Sequence, residues 1–173
     1  MTAESFLAEV IRCFAAWWWL AAALGKLRSW TGFRGELATS FGLAPAAAMV
    51  AAPALVCAEL LAAALLLAAP AAGIRLSLVL MASFTAVLGY QFLARGLVRC
   101  SCFGESERPL SAHDLLRNGL VLGAMAGWLA LAPAQPLAGE LRSGELLVAA
   151  GLGAWLCVAA VNFHDLAVLA RTR

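Results

Sequence analysis

Between Glu36 and Arg75 the chain carries a single charged side chain, Glu59. Water cannot cover so apolar a run. It is long enough for a helix to cross a bilayer, which takes about 20 apolar residues. Within lipid the backbone must satisfy its own N–H and C=O groups, and that restricts such a run to helix. The pattern recurs along the sequence, with apolar segments over 6–24, 46–69, 74–93, 111–132 and 146–163. Short charged connections separate them. They predict an all-α membrane protein, a polytopic transmembrane helical bundle of about five spans: a four-helix core plus a C-terminal helix. A single domain over 1–173 accommodates them.

Composition agrees. Only 13% of the 173 residues are charged, against about 25% in a soluble domain. The net charge of +2 is too small to point to nucleic acid, and the basic residues cluster in the connections, as juxtamembrane cations do. The first apolar segment reads as a retained span, because Glu4 and Glu9 precede Arg12 where a secretory signal would carry a positive cluster.

The first segment holds Trp17, Trp18 and Trp19. Successive helical residues point about 100° apart, so the three girdle the helix; an interfacial aromatic belt is expected, with a quinone platform as the other reading. A mixed loop follows over 25–45, in which Lys26 and Arg28 read as snorkelling end-of-helix cations. Glu59 lies mid-span. A carboxylate there must face the bundle interior, find a cation or stay protonated; Lys26 is the first candidate partner and Arg117 the second. Pro70-Ala71-Ala72-Gly73 reads as a tight turn. Ser111 and Asp114 have the spacing of a capping box opening the fourth span. Arg117 and Asn118 follow in its second turn. Gly119, Gly123 and Gly127 make a small-residue ridge on which another helix could pack closely, which would put this helix at the centre of the bundle.

The five cysteines are 13, 57, 100, 102 and 157. Cys13, Cys57 and Cys157 sit in apolar runs, where a lone cysteine behaves as a small hydrophobe. Cys100 and Cys102 differ: they lie one residue apart in Arg99-Cys100-Ser101-Cys102-Phe103-Gly104, within the most charge-crowded connection. Residues i and i+2 of an extended segment project to one side. The two thiols could close a small strained ring, or act as attacking and resolving thiols. Strained disulfides are more oxidising and labile, which suits exchange. Arg99 would favour the attacking thiolate. A structural disulfide and half of a metal site are the alternatives; the metal reading is short of ligands, with only His113 nearby where a closed site needs about four.

These residues resemble the MauE family of methylamine utilisation, grouped with the DoxX-like membrane proteins. The resemblance rests on Gly25-Lys26-Leu27, Phe41-Gly42-Leu43-Ala44-Pro45, Glu59, Cys100-Ser101-Cys102-Phe103-Gly104 and Leu115-Leu116-Arg117-Asn118, in that order over roughly residues 5 to 132. It implies a redox-associated protein of the bacterial cytoplasmic membrane. The family is implicated in maturing the disulfide-rich small subunit of periplasmic methylamine dehydrogenase, alongside a thioredoxin-like partner. On this reading Cys100, Cys102 and Arg99 are catalytic, as a possible thiol–disulfide oxidoreductase. Glu59, Lys26, Arg117 and Asn118 form a polar cluster. Electrons pass to a thioredoxin-like protein or a quinone, and the client is an exported disulfide-containing protein. No metal is expected.

Charge and chemistry pull the orientation in opposite directions. Across five alternating spans, Lys26, Arg28, Arg34, Arg95, Arg99, Arg108, Arg171 and Arg173 share the thiol side, against Arg75, Arg142 and Arg12 opposite. The positive-inside rule then puts the thiols in the cytoplasm, whereas disulfides of exported proteins form on the oxidising side. The resemblance favours the outward-facing arrangement. Two rival functions remain: a non-enzymatic assembly subunit docking through the glycine ridge, and a small transporter built around Glu59. Against the transporter, no pair of broken helices marks a midplane site.

Overall fold

In the computed structural model, residues 2–95, 111–131 and 143–164 are described. Among them there are six helices and no strands: α1 (Ala3–Arg28), α2 (Trp30–Thr39), α3 (Pro45–Ala68), α4 (Pro70–Arg95), α5 (Ala112–Leu131) and α6 (Ser143–Val161). Four helical stretches, Ala3–Arg28, Pro45–Ala68, Pro70–Ala94 and Gly144–Val161, are long and apolar enough to cross a membrane. The fold is all-α and the protein is a multi-pass membrane protein. Helix α5, over the expected span 111–132, falls outside those four because Asp114, Arg117 and Asn118 sit in its first turns. Its 20 residues still reach about 30 Å at 1.5 Å per residue, and those polar side chains are buried within the bundle.

The distribution of polarity is inverted relative to a water-soluble protein. Leu93, Val50, Leu67 and Trp155 are among the large apolar side chains on the outside, while Glu9, Lys26, Glu59, Asp114, Arg117 and Asn118 are buried. Lipid tails solvate leucine well, so expulsion of apolar groups does not drive association there; packing and interhelical polar contacts do.

Helices α1, α3, α4, α5 and α6 alternate in direction. Helix α3 runs against α1, since Lys26 meets Glu59 while Arg12, a few turns earlier, donates to the Leu66 carbonyl at 2.9 Å. Helix α4 runs with α1, placing Ser77 and Phe84 beside Trp19 and Gln91 beside Ser40. The start of α5 meets the end of α6, with His113 and His164 edge to face at 5.5 Å. Helix α1 is the central element: it packs against each of the other five, and Trp18 and Trp19 are only 2% and 1% exposed.

Several local expectations are corrected. The stretch 25–45 is mostly helix, not a loop. Helix α1 extends to Arg28, Ser29 breaks it with its N–H bonded to the Gly25 carbonyl, and α2 begins at once. Phe33 and Leu37 of α2 pack on Ala48, Ala52 and Val56 of α3. Gly42 then turns the chain at φ 68°, a backbone conformation that favours glycine. The turn between α3 and α4 is confined to Ala69. Pro70 already lies in helix, where its missing N–H costs nothing in a first turn. Trp18 and Trp19 are core residues rather than a belt; Trp17 alone of the three is exposed. The ridge Gly119, Gly123, Gly127 faces open space, with nothing within 4 Å of an added Cβ. Helix–helix contact instead tightens at Gly153, where a Cβ would lie 2.6 Å from the Phe14 nitrogen.

Candidate functional site

Lys26 and Glu59 form an ion pair inside the bundle, Nζ to Oε1 at 2.7 Å, with both side chains almost wholly buried. Their meeting follows from helix geometry. Lys26 lies in the last turn of α1 and Glu59 mid-way along the antiparallel α3. The ammonium also sits 5.6 Å and 5.9 Å from the Phe33 and Phe84 ring centroids, and ring faces attract cations at that range. The other carboxylate oxygen, Glu59 Oε2, is buried without a hydrogen-bond partner among the described residues. Such a group is costly to leave unmet in a low-dielectric interior.

A second polar group comes from α5. Arg117 donates to Asn118 Oδ1 through Nε at 3.2 Å and Nη2 at 3.0 Å. It also approaches Asp114 at 3.7 Å and lies over the Trp18 ring at 5.4 Å. Asp114 in turn accepts from the backbone N–H and hydroxyl of Ser111, at 2.9 and 2.8 Å, which closes the start of α5. One carboxylate thus caps a helix and faces a buried guanidinium.

Both groups line one cavity of about 510 Å³. Helix α1 contributes Trp18 and Trp19, α2 contributes Phe33 and Glu36, and Phe84 of α4 and Asn118 of α5 complete the lining. Most of the lining is apolar, with a few polar groups converging on it, which is the composition of a small-molecule site. Ala54 of α3 and Ser83 and Val87 of α4 line the cavity and are also exposed on the outer surface. The cavity therefore opens sideways between α3 and α4.

The structure brings together Lys26, Glu59, Arg117 and Asn118. It adds Phe33 and Phe84, whose contributions the sequence did not signal, and Trp18 and Asp114, which the sequence marked only as part of the tryptophan girdle and as a helix cap. The spacing of Trp30, Phe33 and Leu37 is the signal that would have marked α2 as a helix with an inward face. A separate pair, buried Glu9 with part-buried Arg12 at 2.6 Å, lies on the first turns of α1. Cys100, Cys102 and Arg99 lie outside the described residues. Cys13, Cys57 and Cys157 are free thiols; Cys13 and Cys157 are buried and Cys57 is exposed on the apolar outer surface.

The family model described as methylamine utilisation protein MauE matches residues 4–132. The chain belongs to the MauE family. That match spans α1 through α5 and so contains the whole cavity. No curated protein and no solved structure matches the chain. Membership links this MauE protein to methylamine utilisation as a membrane protein.

Proposed function

We propose that this MauE protein is a thiol-redox accessory protein of the bacterial inner membrane, supporting disulfide formation or maturation of an exported protein. The observation that carries the reading is the Cys100-Ser101-Cys102 pair beside Arg99, in the chain joining α4 to α5. The two thiols close to a disulfide by passing two electrons and two protons to the disulfide of a thioredoxin-like protein or to a quinone; reduction by a client's thiols reverses it and leaves the client oxidised. Arg99 favours the thiolate that starts each exchange. A thioredoxin-like protein is the exchange partner, and the thiols face the periplasm, where exported disulfides form. The ion pair Lys26–Glu59 joins α1 to α3, and Arg117 of α5 lies over the Trp18 ring of α1.

The test replaces Cys100 and Cys102 together by serine in cells that depend on the protein. A disulfide-containing exported client, such as the small subunit of methylamine dehydrogenase, should then accumulate in reduced form. Normal maturation in the double variant defeats the proposal. A second reading, an assembly subunit without redox chemistry, draws on the unoccupied ridge Gly119, Gly123, Gly127. It expects the serine variant to behave normally and Gly123→Leu to break up a complex.

A further inference from the structure

The cavity has an unmet requirement that neither the thiols nor the helix packing explains. Glu59 Oε2 is a buried acceptor with no donor among the described residues, while Oε1 of the same carboxylate is taken by Lys26. A ligand that completes the site must therefore bring a donor to Glu59. It must also be largely apolar and suited to aromatic contacts, because Trp18, Phe33 and Phe84 line the space. Asn118 and Arg117 line the same space and offer polar groups to a second oxygen.

The route in sets the remaining property. Ala54, Ser83 and Val87 border the space and reach the outer surface, and that surface is apolar, with Leu61, Val79 and Tyr90 exposed on the same two helices. Helices α3 and α4 are clamped together at their turn, where Gly73 sits against the Leu66 backbone. The cavity lies further along, between Ala51–Leu55 of α3 and Ser83–Leu88 of α4. Entry is thus from the lipid phase rather than from water.

We propose that the cavity binds a lipid-soluble hydroquinone, its ring among Trp18, Phe33 and Phe84, one hydroxyl donating to Glu59 Oε2 and its tail leaving between α3 and α4. About 510 Å³ falls within the roughly 300–1,000 Å³ usual for small-ligand sites and suits a substituted ring with the first part of its tail. This assignment stands on the cavity and does not require the thiol chemistry, so either can fail alone.

The experiment uses the full chain in phosphatidylcholine nanodiscs, kept anaerobic, with decylubiquinone and decylubiquinol as probes and tryptophan quenching as the readout. Decylubiquinone should quench saturably, and decylubiquinol should compete at several-fold lower concentration, since only the reduced form carries a hydroxyl proton for Glu59. Ala54→Phe, at an exposed position on the cavity mouth, should weaken both at least tenfold while the helical circular dichroism and unfolding midpoint stay unchanged. The variant with Cys100 and Cys102 both replaced by serine should bind as the parent does. Quenching that never saturates, or that Ala54→Phe leaves intact, overturns the site. Equal affinity for the two forms overturns the bond to Glu59, and equal competition by dodecanol overturns the ring.

Discussion

Lys26 Nζ and Glu59 Oε1 lie 2.7 Å apart, and their residues are only 4% and 0% exposed. They join the end of α1 to the middle of α3. Neither charge has an inexpensive alternative inside a bundle whose outer surface is hydrocarbon-like, so the pair fixes how the two helices slide against each other.

Removing one partner leaves the other buried and unpaired. Lys26→Met should lower stability by about 3–5 kcal/mol, read as unfolding in detergent micelles by circular dichroism. The double variant Lys26→Met with Glu59→Leu should recover most of that loss, because well-packed apolar replacements for a buried pair are often near neutral. Strictly additive losses would show that the two side chains act independently.

The Trp19 indole donates to Ser77 Oγ at 2.8 Å, with both residues buried. Ser77→Ala strands that N–H and should cost about 1–3 kcal/mol. Adding Trp19→Phe removes the stranded donor, so the double variant should lose less than the sum of its single changes in the same unfolding measurement.

Two glycines of equal composition should behave oppositely. Gly153→Ala drives a Cβ to 2.6 Å from the Phe14 nitrogen; the forced shift of α6 from α1 should cost about 1–3 kcal/mol. Gly123→Ala meets nothing within 4 Å and should be neutral or stabilising by up to about 1 kcal/mol, since alanine is the better helix former. Paired unfolding midpoints decide it.

Thiol labelling reports orientation and redox state together. In intact cells a membrane-impermeant maleimide should reach Cys100 and Cys102 only after a reducing step. Cys57, on the apolar outer surface, should stay unlabelled within lipid. Labelling of the pair that requires broken cells assigns the thiols to the cytoplasm and removes the outward-facing reading.

The sequence by itself determined that this is a helical membrane protein, and largely where its helices run. One charge between Glu36 and Arg75 leaves a membrane-spanning helix as the only way to satisfy the backbone. The capping pair Ser111 and Asp114 marked the start of α5 through local chemistry alone. Only the tertiary structure decided which face each helix turns inward. In lipid an apolar side chain is equally at home inside or outside, so hydrophobic periodicity loses its meaning: Trp17 faces out and Trp18 in, with nothing in the sequence to separate them. For the same reason the ridge of glycines on α5 marked no contact, whereas Gly153 does. The cavity was equally hidden, because it arises where α3 and α4 leave a gap beside α1, and no linear pattern encodes a gap between helices distant in sequence.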